Sequence, residues 1–321
     1  MNRVIVVVVS YVLPALLGFA LIYATLKNIS INQLIEALKN GNYIVIIPVL
    51  AISILVYILR VIRWQLLYKT VDVGVKKNVL FASLATGYAV NFVIPRFGEV
   101  IRALTIKKTD NIKINISLST IVFERAIDTL CLAIITVSVF IAEYFYDGSL
   151  IKQFVSINDL NLSNKLFLAL LAVVFAFLFW FVLKKQQFKA LIWLKEFIQV
   201  FIKLLKVKRP LFFYLCTVGI WIGFFLMTYL WFDMFSESKN ITLYEAYLIM
   251  FLGVVARSLP IQAGSAGAYH YVVSSALIFI NIPNQIAVTL AFVIHGFQSL
   301  LTLVLGLGAY IWLLFIKKQN A

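Results

Sequence analysis

Asn91-Phe-Val-Ile-Pro-Arg-Phe-Gly-Glu-Val-Ile-Arg102 follows an apolar run, Val79 to Val90, that is too short and too interrupted to span a bilayer. Pro95 and Gly98 break the helix there, and Arg96, Glu99 and Arg102 sit at the break. A broken helix leaves unpaired N–H and C=O groups beside those charges. Hydrocarbon does not tolerate them, so such a segment survives only inside protein or against a water-filled cavity. The remainder of the chain is therefore read as the scaffold of a cavity, with Asn91, Pro95, Arg96, Gly98, Glu99 and Arg102 as candidate wall.

Composition agrees. With 63% hydrophobic and 13% charged residues in 321 and a mean hydropathy of +1.00, a soluble domain is excluded, and apolar runs near the length of a bilayer recur. The net charge of +15 does not point to nucleic acid, because the basic residues flank apolar runs, where positive-inside topology and anionic headgroups account for them. Cys131 and Cys216 lie within apolar runs and read as core packing. Val4 to Leu26 is too long for a signal-peptide core and lacks a small-x-small cleavage site, so it reads as a retained first helix kinked at Pro14.

Outward from the opening stretch, Ile31 to Leu38 is a short amphipathic piece. Asn42 to Leu59 spans and continues to Leu67, placing Arg60, Arg63 and Trp64 on one helical face at i, i+3 and i+4. Val79–Pro95 and Gly98–Ile106 are the arms of the broken segment. Asn115 to Ala142, Leu166 to Leu183 and Pro210 to Trp231 are further spans. Lys184 to Arg209 carries eight Lys or Arg against Glu196, interleaved with aromatic and aliphatic residues. It reads as a basic amphipathic helix on anionic inner-leaflet lipids. Ala246 to Leu259 is short and holds Arg257. Pro260-Ile-Gln-Ala-Gly-Ser-Ala-Gly267 breaks it, Ala268 to Ile280 returns, and Gln285 to Ile316 is the last span.

Grouping the loops by alternation puts 21 of the 28 Lys and Arg on one side and five on the other, with Arg125 and Arg257 in the membrane. Both termini are thereby expected in the cytoplasm, and the membrane is expected to be the cytoplasmic one. Val79–Ile106 then becomes a re-entrant hairpin from inside. Ala246–Ile280 is either a hairpin of opposite sense or two short spans. The expectation is one all-α, polytopic transmembrane domain of about six to eight spanning helices. Its first half is about 1–142 with a hairpin at 79–106, and its second half about 164–316 with a hairpin at 246–280. Short, Gly/Pro-interrupted segments at matching places in two halves point to a transporter's binding site.

Phe123-Glu-Arg-Ala-Ile-Asp128 puts Glu124, Arg125 and Asp128 about 15 Å into a helix, by its rise per residue. Charges at that depth must be paired or wet. They lock this helix to the hairpin through Arg96 or Arg102, or they form a functional site, or both. Arg60 and Arg63 would equally serve as interfacial anchors with Trp64 in an aromatic belt. Arg257 is harder to dismiss, because it sits beside Pro260 within apolar sequence. His270 directly follows the Gly264–Gly267 turn, where a proton or headgroup contact and a satisfied interior histidine are both open. His270 and His295 lie 25 positions apart with no nearby Cys, which does not suggest zinc. No nucleotide, serine-hydrolase or metalloprotease motif is present, and no cofactor is expected.

Arg60-x-x-Arg63-Trp64, Pro95-x-x-Gly98-Glu99-x-x-Arg102 and Glu124-Arg125-x-x-Asp128, in this order and spacing, together with Pro260–Gly267, resemble the lysylphosphatidylglycerol synthase transmembrane-region family over about residues 50 to 315. That family includes the flippase half of the bacterial multiple peptide resistance factor. The resemblance implies lipid binding or translocation. Bifunctional relatives carry a soluble synthase domain after this region, whereas the sequence read here ends at Ala321, so lipid synthesis is not implied. The family's second turn usually reads Pro-x-x-Gly-Gly-x-Gly-x-x-Glu. This chain has Gly264-Ser265 for the two glycines and His270 for the Glu.

The expected ligand is a membrane lipid bearing phosphate, anionic, aminoacylated or polyprenyl-linked. Arg60, Arg63, Arg96 and Arg102 would attract the phosphate, with the helix N-terminus after Gly98 adding its dipole. Glu99, Glu124 and Asp128 would hold the arginines or take a cationic headgroup. The alternatives are an integral-membrane transferase acting on a lipid-linked phosphate or glycolipid, and a non-transporting accessory subunit.

Overall fold

The structure, a computed structural model, describes residues 13–27, 29–94, 96–146, 188–258 and 262–319. The expected span Leu166–Leu183, together with Pro95 and Pro260, lies outside the described residues. All regular structure among those described is helical: α1 Leu13–Leu26, α2 Ile31–Lys39, α3 Ile46–Thr70, α4 Lys77–Val93, α5 Gly98–Asp110, α6 Ile114–Tyr146, α7 Phe188–Leu204, α8 Pro210–Trp231, α9 Leu243–Ser258, α10 Gln262–Phe279 and α11 Asn284–Gln319, with short 3-10 turns. Among the described residues, four stretches are long and apolar enough to cross a membrane: 43–70, 114–143, 210–234 and 284–316. A fifth arises if α1 and α2, bent by 75°, count as one broken span. The protein is thus an all-helical, multi-pass membrane protein.

The chain marks its own helix ends. Ser30 caps α2 with a full capping box to Gln33. Pro210 opens α8 at the first turn, where its missing N–H costs nothing. Asn111 closes α5 in the left-handed region at φ 53°.

Small residues then set how closely the helices cross, as lipid-embedded packing favours. A Cβ on Gly98 would stand 2.0 Å from the Gly87 carbonyl oxygen, so α4 and α5 form a tight antiparallel hairpin. Ser83 Oγ ties it further by donating to the Arg102 carbonyl. Gly267 rests on the backbone of Gly18, which fixes α10 against α1. The expectation that residues 260–267 form an open turn is corrected here. The helix resumes at Gln262, so Gly264, Ser265 and Gly267 belong to the first turns of α10.

Contacts at the two ends of α3 identify the two ends of the molecule. At the Thr70 end, Asp72 pairs with Lys203 at 2.9 Å and with Lys208, and the Lys208 N–H donates to Thr70 Oγ1. The hydrogen bond from Lys208, with Lys203 beside it, holds the Asp72 carboxyl down at about 2. At the opposite end, Asn42 N donates to the Met234 carbonyl, and Gln285 reaches the Gln33 carbonyl. Hairpin α4–α5 starts from the basic end. Hairpin α9–α10 starts from the other, where Tyr244 meets Glu143.

Two apolar cores result. One gathers α8 to α11 and the start of α3 around Trp231, and the other gathers α4, α5, α6 and the end of α3 around Trp64. Helix α7 does not simply lie free on a surface. Phe201 packs on Phe123 with ring centroids 5.4 Å apart, and Leu204 is fully buried, while Ile198, Ile202 and Leu205 remain exposed.

Candidate functional site

Helical periodicity and the tight α4–α5 crossing bring six charges from three helices into contact. Glu124 is fully buried and accepts from four arginines: Arg102 at 2.8 Å, Arg125 at 2.9 Å, Arg63 at 3.2 Å and Arg60 at 3.4 Å. Asp128, one turn on, takes Arg63 at 2.7 Å, Arg125 at 2.9 Å and Arg60 at 3.6 Å. Removal of two carboxylates and their arginines from water is offset only because each partner faces several opposite charges. The cluster is unbalanced, with four guanidinium groups against two carboxylates.

Its members divide by depth. Arg63 and Arg102 are completely buried. Arg63 also donates to Thr217 Oγ1 of α8, and the Arg102 guanidinium carbon sits over the Trp64 ring, 4.0 Å from its centroid. Trp64 in turn donates to Thr120 Oγ1 at 3.0 Å. Trp64 and Arg63 are therefore core residues, and the reading that put them in an interfacial belt is corrected: α6, α5 and α8 cover that face of α3. Arg102 likewise does not face the opposed hairpin. Arg60 and Arg125 sit on the accessible side, where Arg60 donates to Tyr88 Oη at 2.9 Å and lies between the Tyr88 and Phe224 rings.

That accessible side is the wall of a cavity of about 820 Å³ between the two cores. Its charged lining is Arg60, Arg96, Arg125 and Arg257 against Glu99. Arg96 comes from the tip of α4–α5, and Arg257, Ser258 and Ser265 come from the tip of α9–α10, so the tips of the two hairpins meet at one cavity. Asn91 locks the first tip by accepting from the Gly98 N–H at 2.6 Å and donating to Glu99 at 3.3 Å. Arg96 has φ 64° at the turn, and no ion pair to it is present among the described residues. At the second tip Arg257 stacks on Tyr269 at 4.1 Å, and its carbonyl accepts from Ser265 Oγ. Ser265 also has φ 63°.

His270 is buried and does not line the cavity; it stacks on Phe292 at 3.9 Å. His295, absent from the sequence-derived set, does line it. Its signal was legible: His295, Gln298, Ser299 and Thr302 form a polar i, i+3, i+4, i+7 stripe on an otherwise apolar α11, and all four line the cavity. The rings of His270 and His295 lie 4.9 Å apart. Among the described residues no three His, Cys, Asp or Glu side chains cluster as a metal site would require.

A multi-pass membrane protein with a charged internal cavity between paired helical hairpins is the class these features define. The chain belongs to the lysylphosphatidylglycerol synthase TM region family, whose model matches residues 4–306. Two relatives from archaea carry the description UPF0104 membrane protein. The one from Methanocaldococcus jannaschii is 27% identical over 133 residues, 40% of this chain and 39% of that protein. The one from Methanothermobacter thermautotrophicus is 24% identical over 127 residues, 38% of each. These matches thus span about two-fifths of each relative's length. No solved structure matches the chain.

Proposed function

We propose that this protein binds the phosphate-bearing headgroup of an anionic membrane lipid in the cavity between its two hairpin tips and carries it between leaflets. The observation that carries the reading is the charge surplus. Arg60, Arg96, Arg125 and Arg257 line the cavity against Glu99 alone. Glu124 and Asp128 already serve Arg63 and Arg102 as well as Arg60 and Arg125. A planar guanidinium fork matches two phosphate oxygens, and in a low-dielectric wall such pairs are stronger than at a surface.

The cavity's size falls in the range of small-molecule sites, large enough for a headgroup and not for whole acyl chains. Tyr57, Tyr88, Phe92 and Phe224 add apolar wall. We read both hairpins as re-entrant, with the Asp72–Lys208 end cytoplasmic, and α7 as resting its exposed Ile198 and Ile202 on the inner leaflet. A transferase would need a carboxylate available as base. Glu124 and Asp128 are held by arginines and Glu99 by Asn91, which favours binding and translocation.

The test is exchange of fluorescent phosphatidylglycerol in liposomes holding the purified protein. Arg96→Lys and Arg257→Lys keep the charge and lose the fork. Each should slow exchange about fivefold at equal incorporation, the equivalent of about one hydrogen bond. Rates equal to the unaltered protein in both variants would remove the anion site from this cavity.

A further inference from the structure

His270 poses a problem of its own. It is 5% exposed, and neither ring nitrogen has a hydrogen-bond partner among the described residues. A neutral imidazole has one donor and one acceptor, and leaving both unmet in the interior is destabilising. Buried orphans of this kind call for a physical reason. Phe292 covers one face of the ring, and His295 meets it edge-on at 4.9 Å. His295 opens onto the cavity, and its Nδ1 lies 3.3 Å from Ser299 Oγ. The pair thus connects an unsatisfied buried imidazole to the cavity through a second one.

We propose that His270 and His295 form a proton-binding pair beside the cavity, His295 in its wall and His270 behind it, and that an anionic headgroup enters together with a proton held there. The proposal rests on the reading of the cavity as an anionic-headgroup site. The chemistry is one proton transfer: a ring-nitrogen lone pair takes a proton from hydronium in the cavity, the N–H bond forms as that O–H bond breaks, water is left behind, and the pair gains one positive charge.

The surroundings give this event its direction. On α10 the neighbour is Tyr269, whose ring carries Arg257 of α9 at 4.1 Å. From α11 come His295 and Phe292. Helix α4 offers Tyr88 and Asn91 to the shared cavity, and the ionisable group of α1 is Tyr23, which is exposed at 72%. Across the cavity stand Arg60, Arg96, Arg125 and Glu99. With the cavity free of anion, that excess of guanidinium opposes a further positive charge on the pair. A headgroup phosphate lowers that excess by one charge and so favours the imidazolium. By thermodynamic reciprocity, a proton on the pair tightens the anion by the same factor.

The experiment is binding of phosphatidylglycerol to the purified full chain in detergent at pH 7.5 and pH 5.5, with calorimetry in two buffers of different ionisation enthalpy to count protons. A phosphodiester stays anionic across this range, so the lipid itself does not titrate. Affinity should rise about tenfold toward pH 5.5, with net proton uptake on binding, as the slope of linked protonation requires. His270→Phe keeps the ring and its stack on Phe292, and it should bind with the same affinity at both pH values. His295→Gln should flatten the slope likewise, while Glu99→Gln should keep it. Wild-type binding with no pH slope and no proton uptake overturns the proposal and leaves the anion site standing. A slope that disappears in Glu99→Gln and survives in His270→Phe also overturns it. Failure to bind phosphatidylglycerol at either pH overturns the headgroup reading beneath it.

Discussion

Arg96 holds φ 64°, a region that costs an ordinary side chain about 1–2 kcal/mol and glycine nothing. Its guanidinium faces a cavity, so the strain sits at the position from which a phosphate is to be recognised. Ser265 carries the same conformation at the other tip. It stands where the resembling family usually has the second of two glycines. Ser265→Gly is therefore expected to raise the melting temperature in detergent by an amount equivalent to about 1 kcal/mol, and a lower melting temperature would show that the hydroxyl contact to the Arg257 carbonyl outweighs the strain. Glu124 is the opposite case. Glu124→Gln removes the charge that four arginines share, and breaking such a buried network costs about 3–5 kcal/mol, so yield and melting temperature should both fall sharply. A variant that melts with the parent would contradict the structural role assigned to the cluster. The sequence exposed these charges, because six of them in apolar runs cannot be incidental. It did not show depth: Arg63 and Arg102 are core while Arg60 and Arg125 are wall, and that depends on which neighbouring helix covers each face.

Between residues and the whole, the hairpin is the working unit. Pro95 and Gly98 announced the break from sequence, and the antiparallel packing of α4 on α5 follows from two glycines whose backbones nearly touch. Gly98→Ala places a methyl group 2.0 Å from the Gly87 carbonyl, so the hairpin must open or shift. We expect lower stability together with loss of lipid exchange, read by melting and by the liposome assay; a stable variant with full exchange would show that the crossing is not essential. The start of α10 was misplaced from sequence because three small residues read as a turn. In the fold Gly267 serves close approach to Gly18 within a helix. The meeting of His270 with His295 was equally illegible, since only the packing of α10 along α11 brings positions 25 apart in sequence into contact.

At the scale of the molecule, the basic asymmetry and the opposed hairpins make one claim about topology. Cysteines at Lys76 and Lys108 should be shielded from an impermeant thiol reagent in intact cells, and one at Lys239 labelled; the reverse pattern would invert the orientation. At the basic end, the Asp72 ion pair persists into acid. Asp72 has its carboxyl held at about 2, below the ordinary carboxylate value near 3.9. Its link to Lys203 and Lys208 therefore contributes in full above the unfolded value and is lost only as pH falls through about 2. Between pH 7.5 and 5.5 this contact does not change, so a pH effect on lipid binding in that window belongs elsewhere.

The central claim is that the two hairpin tips enclose a site for an anionic headgroup. Its most direct test is an experimental structure of the full chain in nanodiscs containing phosphatidylglycerol. Phosphate density is expected in the cavity within hydrogen-bond reach of Arg96 or Arg257, with Arg60 and Arg125 on its other side. Phosphate density confined to the outer surface, with the cavity holding only water or acyl chain, would contradict it.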